Sequence, residues 1–165
     1  MTLLPASLAA QQPLLSPRDT ARARVGPATI LIDYGRPSKR GREIFGALVP
    51  WDRVWRTGAN EATTLISDRT LAFDAAEIPP GRFTLFTVPS PSPGRWVLIV
   101  SRPAGRYGLD FNPDSIVARV SLSPAALPET VEQFLIRIEA LEGGAGLLRL
   151  AWDRTEAIAR FTIRP

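Results

Sequence analysis

Short runs of alternating apolar and polar side chains, separated by proline, glycine and Asx residues about every ten positions, constrain this chain more than any other feature. Ala28–Tyr34 (ATILIDY) is rich in the branched side chains that favour strands. Ile116, Ala118, Val120 and Leu122 alternate with Val117, Arg119 and Ser121. Phe134, Ile136 and Ile138 oppose Leu135, Arg137 and Glu139 in the same way. Leu148, Leu150 and Trp152 form another such face, as do Ala159, Phe161 and Ile163. A one-residue slip would turn each apolar set into water, so register is well specified. One-sided faces of this kind belong to antiparallel sheets.

Turn residues suggest how the strands connect. Ser67-Asp68 predicts a hairpin between Ala62–Ser67 and Arg69–Phe73. Arg82–Val88 and Trp96–Ser101 are expected to pair across the proline-stiffened PSPSPG connection, and Gly143–Gly146 reads as a hairpin loop. The only helical candidates are single turns at Arg42–Leu48 and Pro124–Gln133. Nine or ten strands without covering helices must bury their apolar faces on one another. The fold expected is therefore all-β: an antiparallel β-sandwich, jelly-roll-like, in one domain over residues 16–165.

Composition removes whole classes of chemistry. With no cysteine there are no disulfides or thiolate sites, and with no histidine no Ser-His-Asp triad or imidazole metal site. Nineteen of the 20 basic residues are arginine, Lys39 being the lone lysine, and the net charge is +4. The arginines are spread along the chain rather than interleaved with aromatics, so no nucleic-acid partner is expected. No apolar run reaches the ~18–20 residues of a transmembrane segment. Residues 1–15 are read as a leader remnant or a flexible arm, since Met1–Ala10 is apolar and contains a Ser7-x-Ala9 pattern. Oligomeric state is not written in the pattern.

Residues 33–63 break the alternation with a connection far longer than the ~4–6 residues usual between strands. Its apolar content, including Ile44, Phe45, Trp51 and Trp55, predicts an ordered loop packed over one end of the sheets. Tyr34-x-Arg36-Pro37-Ser38-x-x-Gly41-Arg42-x-Ile44-Phe45-Gly46, then Val54-Trp55-Arg56-Thr57-Gly58-Ala59-Asn60-Glu61-Ala62-Thr63, resembles the bacterial family catalogued as domain of unknown function 2911. The resemblance extends through Pro80-Gly81-x-Phe83-x-Leu85-Phe86-Thr87-Val88-Pro89 to Trp152-Asp153, with Tyr107-Gly108 where the family pattern has Trp-Gly. It implies an exported protein, periplasmic or secreted. It brings no established activity, so no catalytic residue is carried over.

Within this stretch the ligand-binding candidates are Tyr34, Arg36, Lys39, Arg42, Trp55, Arg56, Asn60 and Glu61. Arginine forks clamp carboxylate, sulfate or phosphate, and glycine-containing turns let backbone N–H groups join in. Arg56, Asn60 and Glu61 together suit the hydroxyls of a sugar, with Trp55 or Trp51 stacked on its ring. The structural alternative pairs Arg56 with Glu61, lets the basic loop stay solvated, and puts both tryptophans in the core. An enzyme reading uses Glu61 with Asp33 or Asp52 as a carboxylate pair, or Tyr34 with the arginines as in a polysaccharide lyase. Lys39 is the one lysine available as a base or Schiff-base former. Asp110-Phe111-Asn112-Pro113-Asp114 offers oxygens to calcium but reads better as an Asx turn. No metal or cofactor is called for. The leading reading is an exported β-sandwich that binds a small anionic or carbohydrate-like ligand at the long loop. The alternatives are a histidine-free polysaccharide-active enzyme and a structural or partner-binding envelope protein.

Overall fold

A computed structural model describes residues 15–165. Its strands are β1 (Arg18–Val25), β2 (Ala28–Gly35), β3 (Thr64–Ser67), β4 (Thr70–Ala72), β5 (Glu77–Ile78), β6 (Gly81–Val88), β7 (Trp96–Ser101), β8 (Ile116–Ala140) and β9 (Ala145–Arg164). They form one antiparallel sheet in the order β1-β2-β3-β6-β7-β8-β9-β4-β5. The protein is all-β, and its two layers are the two ends of this single sheet folded over a shared core. Ile30, Ile32 and Leu65 from one end meet Leu71, Ile78, Leu148 and Phe161 from the other in one buried cluster. Apart from Leu15, the N-terminal segment read as an arm or leader lies outside the described residues.

The fold-over is made by β8. Its first part, from Ile116 to Leu122, pairs with β7; from Ser123 onward it pairs with β9. The two runs read from the sequence as separate strands, around Ile116–Leu122 and Phe134–Glu139, are thus parts of one. Pro124–Gln133, a candidate helical turn, is extended instead. Residues 127–130 bulge opposite the single Arg154, a position that tolerates Pro128. β9 likewise joins two expected strands. Asp153, at φ +55, sits where its buried face switches from Leu148, Leu150 and Trp152 to Ala157, Ala159 and Phe161.

The expected hairpin at Ser67-Asp68 does not form. β3 pairs with β2 and β6, whereas β4 pairs with β5 and β9. The turn chemistry is present, with Ser67 Oγ donating to the Arg69 carbonyl and Asp68 Oδ1 accepting from Thr29 N–H, but it carries the chain from one layer to the other. The β6–β7 pairing and the glycine-rich β8–β9 connection are as the sequence predicts. β1 escaped the pattern reading. It joins β2 through the two-residue Gly26-Pro27 turn, with Gly26 at φ +54, the positive value such hairpin turns require.

The long connection, here residues 36–63, is ordered and packed against the core. Arg42–Leu48 is not a helical turn. Gly46 N–H bonds to the Val49 carbonyl and Val49 N–H to the Ile44 carbonyl, closing a compact loop that buries Ile44. Phe45 and Trp51 stack at 6.1 Å, Phe45 meets Trp96 at 4.6 Å, and Trp55 lies nearly parallel to Trp152 at 6.0 Å. Both tryptophans of the loop are therefore structural members of the core margin. Among the described residues, no helix is long and apolar enough to cross a membrane.

Candidate functional site

The second half of the connection, Trp55–Thr63, is a wall built from specific residue types. Trp55 exchanges backbone hydrogen bonds with Thr87 of β6, both 2.8 Å, which fixes the segment on the sheet. Thr57, at φ +56 and fully buried, shares a 2.7 Å hydroxyl contact with Thr87. Thr63 Oγ1 donates to the Thr57 carbonyl at 2.7 Å. Gly58, at φ +150, lies over Gly35, and a Cβ on Gly35 would overlap the Ala59 carbonyl oxygen. No residue larger than glycine fits that crossing. Asn60 at φ +61 turns the chain outward, and its amide donates to the Ser16 carbonyl.

In front of this wall lies a cavity of about 410 Å3. Trp55, Trp152 and Val49 supply its core side. Leu48, Pro37 and Ser38 come from the first half of the connection, and Leu15 and Ser16 from the segment entering β1. Arg40, Arg42 and Arg56 complete the lining, together with Asn60 and the Gly58-Ala59 backbone. Among the described residues, no acidic residue lines it.

The three arginines are held by backbone carbonyls. Arg42 donates through Nε to Lys39 O at 3.0 Å and through Nη2 to Ser38 O at 2.7 Å. Arg40 Nη2 donates to Leu15 O at 2.9 Å, and Arg56 Nη1 to Asn60 O at 3.0 Å. Each guanidinium carries five N–H donors, so most remain for other acceptors. Among the described residues none of the three forms an ion pair. A carbonyl orients a guanidinium without cancelling its charge, which suits the cavity to an anion.

The candidates from the sequence divide sharply. Arg42, Trp55, Arg56 and Asn60 line the cavity. Lys39 does not; its Nζ is bound to Asp153 Oδ2 at 3.0 Å and the Arg42 carbonyl at 2.6 Å, which leaves it a cross-brace between loop and β9. Arg36 donates to Phe134 O at 3.1 Å and pairs with Asp19 at 3.1 Å, tying the loop's start to β8 and β1. Tyr34 is 1% exposed, accepts from Ile136 N–H at 3.0 Å and meets Phe134 edge-on. Burial raises its pKa, so it has neither the access nor the acidity of a lyase's proton-moving tyrosine.

Glu61 points away and pairs with Arg106 at 2.7 Å, so the expected Arg56–Glu61 ion pair is absent. Its envisaged carboxylate partners are engaged elsewhere: Asp33 with Arg18 at 2.6 Å, and Asp52 with Ser90 Oγ at 2.6 Å. None of these three carboxylates lines the cavity. Asn112 Oδ1 accepts from Asp114 N–H, making the Asp110–Asp114 stretch an Asx-type cap on a short 3-10 turn. Arg40 stands between the candidates Lys39 and Arg42 in the sequence, but Leu48 and Trp152 carry no local signal, because only the fold brings them here.

A family model described as Protein of unknown function (DUF2911) matches residues 16–161. No curated protein and no solved structure matches the chain.

Proposed function

The chain belongs to the family described as Protein of unknown function (DUF2911), and from that premise we propose that it is a binding module for a small anionic ligand held between Arg40, Arg42 and Arg56. One observation carries the reading. Three guanidiniums line a cavity without acidic lining, each oriented by a backbone carbonyl and none joined to a carboxylate among the described residues. The cavity lies within the ~300–1,000 Å3 range of small-molecule sites. Trp55–Thr63, whose composition first suggested a ligand site, has a supporting role in this reading: it fixes the wall from which Arg56 and Asn60 project. Export belongs to the proposal too, resting on the apolar Met1–Ala10 opening and the family resemblance.

Calorimetry and thermal unfolding with phosphate, sulfate, acetate and galacturonate test this function. A ligand at a hundred times its Kd should stabilise the protein by about 2.7 kcal/mol. Binding should weaken as ionic strength rises and be lost in Arg42→Ala/Arg56→Ala. No stabilisation by any anion, or stabilisation unchanged in the double variant, would overturn it.

A further inference from the structure

Resting on that reading, we infer that the cavity's anion is amphiphilic, a medium-chain aliphatic carboxylate rather than a sugar acid. The first observation is what the arginines share the cavity with. Five large hydrophobic residues are exposed among those described, and two of them, Leu15 at 70% and Leu48 at 44%, line this one cavity. A single exposed leucine is ordinary, whereas apolar side chains gathered at a concave site mark an interaction surface. Leu48 is held out by construction: its backbone N–H bonds to the Glu43 carbonyl and the neighbouring Val49 is anchored to Ile44, so the loop cannot withdraw it into the core. Val49 and Trp55 extend the apolar side inward.

The second observation is what a sugar would lack. Sugar hydroxyls need several acceptors as well as donors, and the side-chain acceptors of the lining are confined to Asn60, Ser16 and Ser38, with no carboxylate. Sugar rings also seek an open aromatic face. Trp152 is 1% exposed, and Trp55, the one partly exposed ring in the lining, is stacked on it and met edge-on by Phe134 at 5.0 Å. An alkyl chain needs neither. It needs apolar side chains beside a cationic cluster, which this cavity supplies. The carboxylate head would take the free guanidinium donors while the tail lies against Leu48 and Leu15.

Calorimetry on the full chain with acetate, butyrate and octanoate, each below its micelle concentration, decides the matter, with galacturonate and octanol beside them. Affinity should rise about fourfold per methylene up to octanoate, as expected for alkyl burial. Leu48→Ser should weaken octanoate about tenfold and leave acetate unchanged; the side chain is exposed, so an unaltered melting temperature will verify the variant's fold. Acetate binding as tightly as octanoate, or galacturonate binding more tightly, overturns the amphiphile while leaving the anion site standing. Octanol matching octanoate overturns it as well, since the arginines would then contribute nothing. No binding by any of the anions removes both this inference and the function on which it rests.

Discussion

Arg36 and Arg42 lie on the same connection with only a short turn between them, yet they do opposite work. Arg36 reaches Asp19 and the Phe134 carbonyl, so its charge is matched and its position locks three elements together. Arg42, beyond the left-handed pair Arg40 (φ +50) and Gly41 (φ +69), meets only carbonyls of its own loop and keeps its charge toward the cavity. The contrast extends along the connection. Tyr34–Arg36 and Thr57–Thr63 form an anchored end, while Arg40–Leu48 with Arg56 forms an open one. Between these two arginines, the acceptor within reach separates a matched charge from an unmatched one: a carboxylate neutralises, a carbonyl only orients.

The sharpest way to break this contrast is at its anchor. Gly35→Ala should destabilise the protein by about 3 kcal/mol or more, because the new Cβ meets backbone that cannot yield; the denaturant midpoint will register it. If the midpoint hardly moves, the wall is softer than its packing implies. Thr57→Val should lose about 1–3 kcal/mol by leaving the buried Thr87 hydroxyl without its partner. Adding Thr87→Val should restore part of that loss, since removing both hydroxyls leaves neither stranded.

Tyr34 offers a pH test of the same end. Burial holds its folded pKa above the ordinary value of 10.0, so the unfolded chain releases the proton first. Its contribution to stability is therefore complete below about pH 10 and declines as pH rises toward the folded value. Unfolding midpoints measured from about pH 9 to 11 should fall, and Tyr34→Phe should flatten that part of the fall. The smallest effect belongs to the open end. Arg56→Ala should change stability by no more than about 0.5 kcal/mol, because no carboxylate depends on it, while anion-induced stabilisation drops. A large loss of stability would move Arg56 to the anchored side.

The sequence made the faces of the sheet legible, because alternation at Ala118–Leu122, Phe134–Ile138 and Leu148–Trp152 is a direct image of burial on one side. Continuity was not legible. Pro124 and Pro128 read as breaks, yet β8 runs through both: Pro124 sits in register opposite Ala157, and Pro128 lies where a bulge relaxes the need for a paired N–H. β1 was invisible for the opposite reason: RDTARARV does alternate, but its inward residues Ala21 and Ala23 are too small to register as an apolar face. At the site, the basic run and WRTGANE drew attention to the right connection. Their partners did not follow from spacing, since Asp19, Asp153 and Arg106 reach this stretch only through the folded sheet.

β8 hydrogen-bonds to β7 along its first part and to β9 along the rest, so one continuous strand forms the edge of both layers and joins them. Neither layer could melt alone, because unzipping one frees its part of this strand and opens the core cluster that both layers share. Hydrogen exchange should accordingly report one cooperative unit spanning the strand, with protection that does not step down where Leu122 gives way to Ser123.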